Sequence, residues 1–413
     1  MEQITRIATA QPLSWFEKRC RSLVFKALEQ IREGSLQLVE PDGTFYFGQS
    51  RSAQSEPDLL QATLLVDDAS LYKDIVLGGS IGGAEAFIAG KWHSPDLTAV
   101  IRLFARAQQL TDQLEQHQGW WSRLKNAFLH RANRNTKTGS KANIEAHYDL
   151  GNELYTRFLD TSMMYSAAVY PHATASLAEA QQHKLELICQ KLQLSPEDHL
   201  LEIGTGWGGL ALYAAQHFGC RVTTTTISEQ QYQYAQQQVQ DAGLQDRITL
   251  LKQDYRDLTG QYDKLVSIEM IEAVGYEFMP GFFRQCNQLL KPGGKMLLQS
   301  ITIADQRFGY YLNNVDFIQR YIFPGGFLPS MTELAKASTA NSAMVIEAVQ
   351  DIGLDYARTL ADWRSNFLQS WPELPQFGYD ERFKRLWLYY LAYCEGGFLE
   401  RATSTVQVVF RKA

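Results

Sequence analysis

The stretch HLLEIGTGWGGLALYAAQHF, residues 199–218, does most to limit what this chain can fold into. A short apolar strand runs through Gly204, Gly206, Gly208 and Gly209 into a segment with helical spacing. That is the context in which a glycine loop lets backbone approach a ligand. The same rhythm continues downstream. RVTTTTIS is a β-branched strand, and EQQYQYAQQQVQDAG is a polar-faced helix that stops at Gly243. ITLLKQ, YDKLVSIEMI and KMLLQSITI read as further strands, with the helix FMPGFFRQCNQLL between the last two. Strands alternating with helices imply βαβ units and a parallel, doubly wound sheet. The expected class is therefore α/β, with a Rossmann-like domain over residues 144–413.

Upstream, residues 1–115 read as a small α+β domain. It has an amphipathic helix from Trp15 to Ile31, a hairpin LQLVEPDGTFYFG turned at Asp42-Gly43, a glycine-rich turn from Gly78, and a helix from Leu97 to about Leu114. Residues 116–143 form a basic linker, in which Trp120 to Lys141 hold six Lys or Arg and no acid. It reads either as a solvated connection or as a Trp-anchored segment on anionic lipid. The whole chain carries a net charge of −6, which gives no general attraction to nucleic acid. Its five cysteines are scattered and lack CxxC spacing, as in a cytosolic protein with reduced thiols, and no metal-ligand cluster is evident. No signal pattern or long apolar run stands out, so any membrane contact is expected to be peripheral, on the cytoplasmic, inner face.

Glycine loops of this kind also serve dinucleotide enzymes, but two details favour a methyl donor. Glu202 gives an E-x-G-x-G form, and the second strand ends Thr226-Ile227-Ser228 without the carboxylate that would hold a nicotinamide ribose. Gln253-Asp254-Tyr255 follows the third strand, where a carboxylate and a ring can bracket an adenine. The cofactor expected is S-adenosylmethionine, held by Glu202, Gly204, Gly206, Thr226, Ile227, Gln231, Asp254 and Tyr255.

HYDLGNELYTRFLD, YSAAVY, LEIGTGWGG, TISEQQ, QDYRDL, EAVG, NQLLKPGG, YIFPGGFLPS and ERFKRLWLYYLAYCEGGF together span about 145–413. In these the chain resembles the cyclopropane-fatty-acyl-phospholipid synthases and the mycolic acid cyclopropane synthases. The resemblance implies transfer of a methylene, or methyl, group to the double bond of a phospholipid acyl chain. It adds Tyr165 and Ser166 to the cofactor pocket and makes the N-terminal domain a site of lipid handling or homodimer contact. It also implies a bicarbonate base held by Glu272, Tyr356, Ile301 and two positions that depart from the family. Gln299 stands at the His position and Ala167 at the Cys position.

Two more departures flank Glu272. Glu269 replaces a small residue, and Ala273 replaces a His. A second carboxylate there would repel an anion unless one group is protonated. These changes leave ring closure and simple C-methylation both open. Cys394 matches a family active-site position but equally suits a buried structural thiol. His147 reads as a cap, a lid residue or a donor contact. Phe367, Trp371, Phe383, Trp387, Tyr389, Tyr390 and Phe398 read as an acyl tunnel or as ordinary core. An amine methyltransferase and a non-catalytic lipid-binding protein are the remaining rivals.

Overall fold

The computed structural model describes residues 13–49, 59–107 and 151–413. The basic segment, the 116–143 linker and His147 lie outside the described residues. Two compact units emerge. The first holds the described residues up to 107 with 315–317 and 375–402, and the second holds 151–314, 318–374 and 403–413.

In the first unit, α1 (Trp15–Leu28) begins at a capping box. Ser14 Oγ accepts from Glu17 N at 3.3 Å, and Glu17 Oε2 accepts from Ser14 N at 2.8 Å. Its Cys20, Val24, Ala27 and Leu28 are buried. Strands β1 (Ser35–Glu40), β2 (Gly43–Gly48), β3 (Gln61–Val66) and β4 (Trp92–His93) form a sheet in the order β2-β1-β3-β4. Glu40 pairs with Gly43, so the hairpin turn is Pro41-Asp42, and Gly43 is already strand. The glycine-rich turn expected from Gly78 is instead part of a helix, α2 (Leu71–Ile88), broken at Gly79 with φ 58° and ψ −140°. The break brings Gly82 onto the first half of the helix, where a Cβ would sit 2.0 Å from Asp74 O. Gly82→Ala should therefore destabilise this unit by about 1–3 kcal/mol through overpacking. Calorimetry checks this, and an unchanged melting profile would refute the close approach.

The next helix, α3 (Leu97–Arg106), ends earlier than the sequence suggested. The C-terminal α12 (Glu381–Leu399) packs on it, with Thr98 Oγ1 donating to Glu395 Oε2 at 3.0 Å. A boundary at 143/144 thus does not describe the packing of residues 375–402.

The second unit contains α4 (Asn152–Phe158), α5 (Leu177–Leu192), β5 (His199–Ile203), α6 (Gly209–Phe218), β6 (Arg221–Thr226), α7 (Glu229–Asp241), β7 (Ile248–Lys252) and β8 (Tyr262–Ile268). These are followed by α8 (Met279–Leu289), β9 (Leu290–Ile303), α9 (Asp305–Asn313), α10 (Met331–Asn341), β10 (Met344–Asp351), α11 (Gly353–Ser370) and β11 (Thr403–Lys412). The seven strands lie in the order β10-β11-β9-β8-β5-β6-β7. Strands β5 to β9 pair in parallel as the βαβ pattern implied, while β9-β11 and β11-β10 are antiparallel.

Alternating side chains are buried on both faces of this sheet. Leu201, Leu265, Leu298 and Val408 meet Phe282, Phe283 and Leu334, while Leu200, Val266, Leu297 and Val409 meet Ile188, Leu210 and Ala214. Each such side chain contributes roughly 1.5–3 kcal/mol by leaving water. This double burial holds the carboxyl ends of the strands rigid.

Candidate active site

The strand order reverses between β5 and β8, and open α/β sheets bind ligands at such a switch point, beyond the strands' carboxyl ends. The glycine loop leaves β5 there. Gly204 and Gly206 have φ of 103° and 54°, a region that favours glycine. A Cβ on Gly206 would find nothing within 4 Å, whereas one on Gly204 would meet Met270 at 3.3 Å. The open cradle over Gly206 fits S-adenosylmethionine, whose approach needs bare backbone.

The other expected cofactor residues are distributed around this loop. Glu202 is buried, and its Oε2 accepts from Thr224 Oγ1 at 2.6 Å. Thr224 Oγ1 also lies 2.7 Å from Thr205 Oγ1, so this carboxyl braces the loop from within the sheet. Burial pushes Glu202 up to about 8. Thr226 Oγ1 donates to Gln231 Oε1 at 2.9 Å, and Ile227 is half-buried between them and the α7 cap, Ser228. Asp254 is gripped by Arg256 at 2.8 and 2.6 Å, and Tyr255 packs edge-on to Phe282. Tyr165 lies within 5.9 Å of the rings of Tyr155, Phe158 and Trp363. Trp207 Nε1 donates to Asn152 Oδ1 at 3.1 Å, tying the loop to α4.

Directly after β8 the chain turns at Glu269, whose φ of 47° is uncommon for a side-chain-bearing residue and suggests a functional constraint. The Glu269 carboxylate collects three donors. Ala167 N reaches Oε1 at 2.9 Å, Gln299 Nε2 reaches Oε1 at 2.8 Å, and Tyr356 OH reaches Oε2 at 3.0 Å. These are the positions expected to hold a bicarbonate. In the structure a carboxylate of the chain itself engages them. Ile301 N, from the same expected set, donates to Glu272 Oε1 at 2.6 Å. Gln299 is fixed by both ends of its amide, since its oxygen accepts from Gln407 Nε2 at 2.9 Å.

Glu272 Oε2 is shut from solvent and has no hydrogen-bond partner among the described residues. Burial first, and the Glu269 charge second, push Glu272 up to about 8. Burial also raises Glu269, but its three donors and the Lys184 charge oppose that rise. At neutral pH Glu272 accordingly holds its proton, while the three donors and the Lys184 charge favour the ionised form of Glu269 against its burial. A protonated Glu272 relieves the repulsion expected between the two.

Lys184 was not anticipated from the sequence. It is fully buried on α5, donates to Ser166 Oγ at 2.7 Å, and is pushed down to about 8 by burial. One turn earlier Gln181 donates to Ser166 O at 3.0 Å. The signal was present: Gln181 and Lys184 share a helical stripe with buried Leu185 and Ile188. Ser166, expected in the cofactor pocket, is thus anchored to α5 and positions the neighbouring Ala167 N–H.

Cys394 lies on α12 in the first unit, and burial pushes its thiol up, which disfavours a reactive thiolate. The aromatic set divides likewise. Phe367 and Trp371 are buried in the second unit, and Trp387, Tyr389, Tyr390 and Phe398 in the first, while Phe383 stacks on Trp387.

Glu272 also gives a stability prediction. Its ordinary value of 4.5 is raised to about 8 on folding, so the folded state binds the extra proton between those limits. Stability must fall as pH rises from about 4.5 to about 8, by a few kcal/mol for this group. Glu272→Gln should flatten part of that slope and melt above the parent at pH ~8, leaving the contribution of Glu202. Melting curves across this range test it; an unchanged slope would contradict the assigned proton.

A family model described as mycolic acid cyclopropane synthetase matches residues 135–408. The cyclopropane-fatty-acyl-phospholipid synthase of Escherichia coli (strain K12) is 39% identical over 353 residues, covering 85% of this chain and 88% of that protein. The tuberculostearic acid methyltransferase UfaA1 of Mycobacterium tuberculosis is 36% identical over 371 residues, covering 88% and 84%. Among solved structures, mycolic acid cyclopropane synthase CmaA1 complexed with SAH and CTAB superposes with a TM-score of 0.62 at 30% identity, over 66% of this chain and 98% of that one. With its glycine cradle and paired carboxyls at the switch point, the chain belongs to the mycolic acid cyclopropane synthetase family, as an S-adenosylmethionine-dependent fatty acid and lipid methyltransferase.

Proposed function

We propose that this enzyme adds a one-carbon unit across the double bond of an unsaturated phospholipid acyl chain and closes it into a cyclopropane ring, with Glu269 as the base. The seating of Glu269 on Ala167 N, Gln299 Nε2 and Tyr356 OH carries this reading. When bound, S-adenosylmethionine would supply a sulfonium methyl, its C–S bond breaking with the electron pair leaving on S-adenosylhomocysteine as the alkene pair bonds that carbon, so that one alkene carbon would carry a cation. The negative charge of Glu269 and the packed rings of Tyr165, Trp363 and Tyr356 suit that cation. Glu269 then takes one proton from the transferred methyl, and the C–H electron pair closes the ring. The proton ends on Glu269, and a neutral Glu272 beside it avoids a second buried anion.

The similarity to UfaA1 and to a probable fatty acid methyltransferase of Pseudomonas putida, 32% identical over 346 residues, supports a second reading. In it the one-carbon unit remains a branch. The test uses trideuterated methyl donor and vesicles of unsaturated phospholipid, with mass spectrometry and proton NMR of the released fatty acids. Two deuteriums with upfield ring protons establish closure. Three deuteriums, or two without upfield ring protons, replace closure by branching. The inner face of a phospholipid membrane is the working surface in either case.

A further inference from the structure

Among the exposed large apolar side chains, three belong to one helix. Trp15, Phe16 and Leu23 of α1 are 72%, 44% and 46% exposed. Lys18, Arg19 and Lys26 are exposed beside them. At helical spacing Trp15, Arg19, Leu23 and Lys26 form one stripe, opposite the buried Cys20, Val24 and Ala27. Arg19 lies over the Trp15 ring at 5.5 Å. We propose that this outer face of α1 is a docking surface for anionic phospholipid bilayers.

The residue types commit the face to that occupant. Trp, Phe and Leu bury in the boundary between headgroups and acyl chains, while flanking cations meet lipid phosphates. Arg21, by contrast, is turned inward and ion-paired to Glu40 at 2.6 Å. Glu17, the only acid within α1, is engaged in the cap at Ser14. Among the described residues no ion pair holds Lys18, Arg19 or Lys26. In a chain of net charge −6 this basic and aromatic face is a local reversal that suits an anionic surface. The inference supplies the lipid-substrate reading with its membrane contact, and its test needs no catalysis.

The experiment is vesicle co-sedimentation of the full chain. Vesicles are phosphatidylcholine alone or mixed with phosphatidylglycerol, at low and high salt. Expected is binding to the anionic vesicles that weakens with salt. Combining Trp15→Ser, Phe16→Ser and Leu23→Ser should weaken binding at least about tenfold. Combining Lys18→Gln, Arg19→Gln and Lys26→Gln should erase the anionic preference. Circular dichroism should not change, because every altered side chain is exposed. Brominated lipid should quench the parent more than Trp15→Phe.

Parental binding by both triple variants overturns the inference. So does a variant that binds vesicles normally but shifts from dimer to monomer in sedimentation velocity, since the face would then join two copies. If vesicle binding follows α1 while no lipid is ever modified, the docking surface stands and the substrate assignment falls.

Discussion

Replacing Glu269 by Gln should cut cyclopropane formation by about 10²- to 10⁴-fold, the usual contribution of a general base, and leave affinity for S-adenosylmethionine within about twofold. The amide is isosteric with the carboxylate, so its oxygen can still accept from Ala167 N and Gln299 Nε2. Tyr356 OH can rotate to accept where it now donates. The site keeps its shape and loses only its charge and its proton acceptor. Any residual product should retain three deuteriums from a trideuterated methyl donor, since nothing takes a proton from the new carbon.

Glu269→Gly separates a missing base from a damaged fold. Glycine relieves the φ of 47° and removes the carboxylate from those three donors. Added bicarbonate should then restore turnover to this variant and do nothing for the parent. If Glu269→Gln closes rings at the parental rate, the base lies elsewhere. If bicarbonate accelerates the parent, the seat is not filled by Glu269 during turnover.

Lys184 belongs to the same argument. A buried ammonium bonded to Ser166 Oγ sits behind the segment whose Ala167 N–H holds Glu269. Its charge favours ionised Glu269, so the proposed base depends on a cation three residues beyond Gln181 on a helix that otherwise reads as packing.

The parallel core was legible because its strands are apolar or β-branched runs and the helices α6 and α7 stop at Gly219 and Gly243. The assembled site was not. The letters show Glu269 three residues before Glu272, which reads as repulsion. They do not show that a left-handed backbone at Glu269 follows the end of β8, or that Ala167, Gln299 and Tyr356 arrive from three other places in the chain. Long-range convergence of this kind leaves no local period. The same limit explains α12, whose helical spacing is plain but whose packing on α3 joins residues nearly three hundred positions apart. At Gly78 the error was local. Glycine density read as a turn, whereas α2 uses Gly79 for one left-handed break and Gly82 for close contact with Asp74 O.

Gly206→Ala should weaken S-adenosylmethionine binding by about 2 kcal/mol, roughly thirtyfold, with only a small loss of stability. Its Cβ would meet no protein atom within 4 Å, so the fold can accept it without rearrangement. The φ of 54° lies where alanine costs about 1–2 kcal/mol. For a chain of this size that lowers the melting temperature by a few degrees at most. The methyl instead occupies the cradle where backbone must come close to the donor, so the cost falls on binding. Calorimetric titration alongside a melting curve keeps the two effects apart. Parental affinity in a folded Gly206→Ala protein would move the donor away from this loop, and with it the reason for placing the reacting carbon beside Glu269. Gly204→Ala offers the contrast. Its Cβ meets Met270 at 3.3 Å, next to Glu269, and at φ 103° it is strained as well. That change should disturb the base and the cradle together, and it should cost more stability than Gly206→Ala does.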